Sequence, residues 1–342
     1  MGASDTSYNQ MSTLSYQFTL PQKERIRSPL KKKKVIILSG PTAVGKTQLS
    51  LTIAKAIGGE IISADSMQVY RGMDIGTAKV SVQERLQVPH HLIDSIDLDE
   101  SFNVMEFYKH ACQAIKEIFA KGAVPIVVGG TGFYIHALIY GPPSGPPSEP
   151  ALRQQLEAEM EKRGAEALYE WLMQKDPLYA STITCRDRHK IIRALEIIMI
   201  TRQRVSDLPR PETDPLDLSD FACWFIHMPK ELLYPRIESR CDHMIAQGFL
   251  EEVKRLDQEG LSQNITACQA IGYRQALDYL HSAQTSEDWN RFVVTFKQAS
   301  RRYAKRQFTW FRKEPLFKWV DIYKSSFDVV AEMIIQDYEL NF

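Results

Sequence analysis

The sequence predicts an α/β protein, a parallel doubly wound sheet interrupted by a helical insertion, and three observations carry that prediction. Short apolar runs alternate with segments of helical length and period across the first 140 residues. A glycine-rich loop, GPTAVGKT (Gly40–Thr47), stands directly between the first run and the first helix. Two proline-rich stretches, GPPSGPPSEP and DLPRPETDPLDLSD, bracket a helical region. Strand, helix, strand alternation is the signature of a parallel sheet, whose ligands sit at the carboxyl ends of the strands.

Taken in order, residues 1–33 are rich in Ser, Thr, Gln and Lys without an apolar period, and a disordered tail is expected there. Their sparse acids also fit a transit peptide, but no Arg-rich amphipathic helix is visible. The core is expected over 34–142 and 216–342, with 143–215 inserted. Val35–Ser39 reads as the first strand. Lys46–Ile57 reads as a helix with Leu49, Ile53 and Ile57 on one face, stopped by Gly58-Gly59. Glu60–Ala64 and Val124–Val128 read as strands, with a helix over Asn103–Lys121 between them. Inside the insertion, Ala151–Arg163 and Asp187–Thr201 read as helices, the second striped by Ile191, Ile192, Leu195, Ile198 and Met199. Phe221–Met228 returns as a strand, and most of the chain beyond Lys230 reads as helix.

Bulk composition narrows the function. Lys+Arg 42 balances Asp+Glu 42, so nucleic-acid binding has to come from local clustering rather than net charge. No apolar run approaches the roughly 20 residues that span a bilayer, and no secretory segment is seen, so a cytoplasmic protein without membrane contact is expected. Five scattered cysteines without a C-x-x-C pair read as buried thiols in a reducing compartment.

The chemistry starts at the glycine loop. Gly40 and Gly45 let backbone N–H groups turn inward, and the helix beginning at Lys46 points its positive end at an anion. Lys46 suits outer phosphate oxygens, and the Thr47 hydroxyl suits magnesium. The pattern arises by chance in roughly 1% of chains this long, and its place between strand and helix lowers that further. ATP is the obvious ligand, yet the strand Val124–Val128, the candidate for ending in a magnesium-holding acid, runs into Gly129-Gly130-Thr131 instead. An acid does follow Glu60–Ala64, namely Asp65. From position alone it can orient magnesium, serve as a general base, or cap the next helix. A small-molecule kinase and a transferase with a diphosphate leaving group both fit.

A second signal lies in RFVVTFKQASRRYAKRQFTWFRK (Arg291–Lys313), which contains no acid. Arg301–Lys305 and Arg302–Arg306 share faces four residues apart, where like charges repel. An external polyanion is the natural counter-charge, with Phe308, Trp310 and Phe311 available to stack on bases. A solvated basic face packed through Phe292, Phe296 and Phe308 is the plainer reading. His90-His91 with Asp94 suggests a hydrogen-bonding role more than a metal, because adjacent strand residues face opposite ways.

Together the segments GPTAVGKT, ADSMQVYRGMDIGTAK (Ala64–Lys79), HHLID, GGTGFY, RALEI, GYRQ and AKRQFTW, in that order, resemble the tRNA dimethylallyltransferase (tRNA isopentenyltransferase) family. The resemblance implies a P-loop NTPase-like core with a helical insertion domain. It implies transfer of a dimethylallyl group from dimethylallyl diphosphate to N6 of the adenine immediately 3′ of certain anticodons, by a monomer acting on the tRNA anticodon stem-loop. On that reading Gly40, Pro41, Thr42, Ala43, Val44, Gly45, Lys46 and Thr47 hold diphosphate, with Mg²⁺ at Thr47. Asp65 becomes the general base and Thr131 lies at the reaction centre. Asp65, Ser66, Met67, Gln68 and Thr131 touch the target nucleotide. Further tRNA contacts are implied at Arg153, at His189, Lys190, Ile191, Ile192 and Arg193, at Gln269, Gly272, Tyr273 and Arg274, and at Lys305, Arg306, Gln307 and Arg312. The chain departs from bacterial members in its long tail and in His189-Lys190, where Gln-Arg is usual. Its DYELNF ending lacks the zinc finger of many eukaryotic members, so a bacterial type is expected. An ATP-dependent small-molecule kinase is the alternative.

Overall fold

The computed structural model describes residues 34–209 and 220–340; the 1–33 tail, most of the second proline-rich stretch and the 215/216 boundary lie outside the described residues. Six strands, β1 Val35–Ser39, β2 Gly59–Ser63, β3 His90–His91, β4 Val124–Gly129, β5 Phe221–His227 and β6 Lys318–Asp321, form one sheet in the order β3-β2-β4-β1-β5-β6. Every pairing is parallel. The apolar runs read from the sequence are its four central strands. β1 is buried along its whole length, as expected of a strand covered on both faces.

Helices α1 Lys46–Ile57, α2 Val82–Gln87, α3 Val104–Ala120 and α4 Gly132–Tyr140 connect the first strands. Gly58, at φ 64, ends α1 in the left-handed conformation that glycine adopts readily. Asn103 caps α3 by accepting from the Met105 and Glu106 amides. Four helices follow, α5 Pro150–Arg163, α6 Ala165–Lys175, α7 Pro177–Ala180 and α8 Arg188–Thr201. They bury a hydrophobic cluster of their own, including Leu156, Met160, Leu168, Leu172, Ile191 and Leu195, separate from the main core. After β5 come α9 Lys230–Ala246, α10 Phe249–Gln258, α11 Tyr273–Leu280 and α12 Ser286–Phe311, and α13 Phe327–Leu340 follows β6.

The end of α12 packs on the sheet, where Phe225 of β5 meets Phe308 at 5.7 Å and Phe311 at 5.0 Å between ring centroids. The first residue of α13, Phe327, reaches the phosphate loop: a Cβ added to Gly45 would lie 2.5 Å from its ring. No described helix is long and apolar enough to cross a membrane.

Candidate active site

The phosphate loop joins β1 to α1 at the carboxyl edge of the sheet. Ala43 (φ 64) and Gly45 (φ 104) take left-handed conformations, which curl the backbone into an anion-sized concavity. Lys46 Nζ donates back across the loop to the Gly40 and Pro41 carbonyls at 2.8 and 2.9 Å. The loop borders a cavity of about 350 Å³ that is also lined by Asp65, Gln68, Arg236, Arg240, Tyr303 and Gln307.

Three cations line this cavity, and two of them, Lys46 and Arg240, act on each other. Burial, with Arg240 close by, pushes Lys46 down to about 7, while Asp65 acts in the opposite direction. Burial lowers Arg240 as well. Cations packed together and stripped of water are unfavourable until an anion joins them, so the cavity is electrostatically prepared for a polyanion. Arg240 Nη1 also donates to Thr42 Oγ1 at 3.4 Å.

Asp65 stands just past β2. Its Oδ1 accepts from the Met67 and Gln68 amides at 2.9 and 3.3 Å, while Oδ2 makes no hydrogen bond among the described residues. One oxygen thus orders a turn rather than capping a helix, and the other leaves room for either the magnesium or the base reading. Gln68 is fixed by Ser63 and by the Thr77 carbonyl. Gln307, from α12, accepts from the Thr42 amide at 2.8 Å and donates to the Gly130 carbonyl at 3.1 Å, tying the loop to the turn after β4. That turn needs glycine, because a Cβ on Gly130 would lie 2.0 Å from Gln307 Nε2 and one on Gly129 would lie 2.2 Å from the Ala64 carbonyl. Thr131 Oγ1 is buried without a hydrogen-bond partner beside Tyr303, whose phenol burial raises well above its usual range. β4 ends in Gly129, with no carboxylate where ATP-hydrolysing relatives of the loop hold magnesium.

Comparison with known proteins decides between the two chemistries. The family model described as IPP transferase matches residues 68–314. A tRNA dimethylallyltransferase of Protochlamydia amoebophila is 56% identical over 309 residues, covering 90% of both chains. One from Chlamydia pneumoniae is 46% identical over 324 residues, covering 94% of this chain and 93% of its own. The chain belongs to the IPP transferase family. Among solved structures, the tRNA isopentenylpyrophosphate transferase of Bacillus halodurans superposes with a TM-score of 0.66 at 39% identity, covering 91% of this chain and 97% of that one. A eukaryotic dimethylallyltransferase acting on tRNA gives a TM-score of 0.68 at 30% identity over 84% of this chain and 74% of that one. The P-loop NTPase-like fold expected from the sequence is the fold of this family, and the kinase reading is not favoured.

Against the family's pattern, several positions need correcting. Ile191 and Ile192 are buried in the second cluster and Tyr273 in the main core, so their side chains face no RNA. The Tyr273 hydroxyl donates to Glu252 at 2.6 Å, and Gly272 is packed beneath Phe296 and Phe249. Arg193 is half-buried, and its guanidinium is engaged by Glu196 and the Pro146 carbonyl. The Thr42 amide is engaged by Gln307 and so does not open into the anion site. Gln307 itself is buried. Of the aromatics on α12, Phe308 and Phe311 are core residues and Trp310 alone is exposed, at 38%. The missing acids are supplied by α9: Glu238 pairs with Arg301, and Asp242 with Lys297 at 2.6 Å. His189, Lys190, Gln269, Arg274, Lys305, Arg306 and Arg312 are exposed, and Arg153 pairs with Glu157 at 3.2 Å. His90 bonds the Val88 carbonyl and His91 bonds Glu60, while Asp94 bridges Lys79 and Arg85. Among the described residues no group of three His, Cys, Asp or Glu could hold a metal. The five cysteines are free thiols, but Cys112, Cys185 and Cys268 are only half-buried.

Sequence reasoning missed Arg236, Arg240 and Tyr303. Arg236 and Arg240 lie four residues apart on α9, a spacing that shares a helix face, but nothing in the sequence places that face over a loop two hundred residues earlier.

Proposed function

We propose that the protein transfers the dimethylallyl group of dimethylallyl diphosphate to N6 of the adenine immediately 3′ of the anticodon in a subset of tRNAs. One observation carries the reading beyond family membership: the loop, Lys46 and Arg240, a surface suited to diphosphate, line the same cavity as Asp65, which keeps one carboxylate oxygen without a hydrogen bond among the described residues. A leaving group and an incoming nucleophile need both.

In this mechanism the diphosphate lies on the Gly40–Thr47 loop with its charge met by loop amides, Lys46 and Arg240. The N6 lone pair attacks the terminal allylic carbon as the carbon–oxygen bond breaks, and the bonding pair leaves with diphosphate. The N6 proton passes to Asp65 Oδ2. Asp65 need not be a strong base, because the amine acidifies as it bonds to carbon. Thr47 sits at the start of α1 with its side chain exposed on the cavity, which fits an ion that keeps most of its waters and takes one hydroxyl. Bound there, Mg²⁺ would neutralise charge on the diphosphate. Thr131, with its buried and unpartnered hydroxyl, borders the reaction centre.

The target adenine must leave its stack, which costs a few kcal/mol, about what one or two aromatic or phosphate contacts return. Lys305 and Arg306 of α12 and Arg312 just past its end supply phosphate contacts, and Trp310 with the neighbouring exposed Phe133 supplies rings. Residues 143–215 serve as an inserted domain whose His189, Lys190 and Arg153 hold the stem-loop from another side, in keeping with the separate cluster of α5–α8. The enzyme works as a cytoplasmic monomer on this reading.

The test is direct: labelled dimethylallyl diphosphate is incubated with the protein and an anticodon stem-loop carrying adenine at the 3′ side of the anticodon. Label is expected on RNA. Loss of γ-phosphate from ATP with no labelled RNA would overturn the proposal in favour of a kinase.

A further inference from the structure

The carboxyl edge of the sheet carries a second cavity, of about 490 Å³, over β5 and β6 instead of β4 and β1. Strand register builds it. Phe225 pairs with Trp319 and His227 with Asp321, and the alternation of side chains puts all four on the face that α12 covers. Three rings border the space: His227 and Trp319 are 5.5 Å apart, Phe308 and Trp319 6.2 Å, and His227 and Phe308 6.5 Å between centroids. Phe308 is buried, whereas Trp319 is 36% exposed and offers a free ring surface.

The polar groups are as specific as the rings. Asp321 Oδ1 accepts from the Tyr323 amide at 2.9 Å, and its other oxygen has no partner among the described residues. Burial lowers the His227 imidazole, with Asp321 acting in the opposite sense and Lys324 reinforcing the shift, so the ring is neutral near pH 7 and can donate and accept. Lys230 and Arg312 stand at the rim, both exposed and neither in an ion pair among the described residues.

A free inorganic anion gains nothing from rings and is repelled by Asp321, and an acidic peptide is repelled too. A nucleotide uses every group: its ring stacks on Trp319, an exocyclic amine meets the free Asp321 oxygen, and its phosphate meets Lys230 and Arg312. Two strand spacings of about 4.8 Å put this cavity roughly 10 Å along the sheet edge from the first, a short reach for a single-stranded loop.

We propose that this second cavity takes one unstacked, amino-bearing nucleobase of the RNA loop (adenine, cytosine or guanine) with its phosphate, while the target adenine occupies the first cavity. The inference rests on the RNA-modifying reading given above and adds a position-specific contact to it.

The experiment measures stem-loop affinity, and transfer kinetics with each substrate varied, for wild type, Lys230→Gln, Asp321→Asn and Trp319→Leu. The first two substitutions sit at exposed or half-exposed positions and keep the test alive if Trp319→Leu unfolds. Each variant is expected to raise Kd and KM for the stem-loop by about five- to tenfold and to leave KM for dimethylallyl diphosphate unchanged. Abasic substitutions are then placed through the loop one at a time. One position besides the target is expected to weaken wild type and to add little in Asp321→Asn or Trp319→Leu, and uracil there is expected to be the poorest natural base. Wild-type behaviour in all three variants, or additive losses at every loop position, overturns the pocket while transfer itself stands. No transfer and no stem-loop binding by wild type overturns the parent reading instead. AMP and CMP form the remaining arm: tight binding of either that Asp321→Asn abolishes, with stem-loop affinity unchanged, assigns the cavity to free nucleotides and overturns an RNA source.

Discussion

At the scale of single residues, the proposed mechanism divides the labour of the first cavity between Asp65 and Lys46. Because Asp65 uses one oxygen for the Met67 and Gln68 amides, alanine would disturb the turn as well as the chemistry. Asn keeps an accepting oxygen and removes the base. Asp65→Asn is therefore expected to lower kcat by about 10²- to 10³-fold while the Kd for diphosphate stays within about threefold; a kcat near wild type leaves the residue only its turn. Lys46 gives a pH signature. It loses its proton near 7 in the free protein, and a bound diphosphate favours the charged form, so binding takes up a proton above pH 7. Affinity for inorganic diphosphate should then fall with rising pH by up to about tenfold per unit, relative to Lys46→Met, which shares the ligand's own ionisation. Equal slopes for the two proteins by calorimetry between pH 7 and 9 would rule this out. The loop and Asp65 were legible in the sequence because local geometry defines them. Arg240 was not, since its role depends on where α9 lies.

Elements show why some motif residues are structural. Glu252 of α10 is buried and accepts from the Asp74, Ile75 and Gly76 amides at 3.0, 2.7 and 3.1 Å, and from Tyr273. The MDIGTAK segment is thus held by one carboxylate, and Gly76 is required because a Cβ would lie 2.3 Å from the Phe249 ring and 2.5 Å from that of Tyr273. Gly76→Ala is expected to cost about 2 kcal/mol or more, and Glu252→Ala about 3 kcal/mol, both read from urea midpoints at unchanged m-value. Tyr273 therefore sits in the GYRQ motif for packing, which a motif match cannot separate from RNA contact. The four central strands were readable as apolar runs, α1, α3 and α8 from an apolar stripe or a cap, and α5 from its bounding Pro150 and Gly164. β3 and β6 were not, being only 2 and 4 residues long with half-exposed or exposed side chains, so pairing with β2 and β5 defines them.

The whole molecule has no net charge, yet its cations are unevenly spent. On α12 and the two residues that follow it, Lys297 and Arg301 are paired to α9, whereas Arg302, Lys305, Arg306, Arg312 and Lys313 form no ion pair among the described residues. If these meet phosphates of a single-stranded loop, log Kobs for the stem-loop should fall against log salt with a slope of about −3.5. A slope near zero in a titration from low to physiological salt would remove α12 from the interface. The basic run was visible in the sequence, but which charges are free was not, because Glu238 and Asp242 lie some sixty residues away from their partners.

The contact of Phe327 with Gly45 also bears on the timing of synthesis. The loop leaves the ribosome early, but the ring that braces it is made roughly 280 residues later, about 15 to 55 seconds at common elongation rates. β1 likewise waits for β5 before its second edge is paired. A growing chain therefore holds the phosphate-binding segment unbraced until its last helix emerges, and a truncated product lacking that helix has the motif without the support that shapes it.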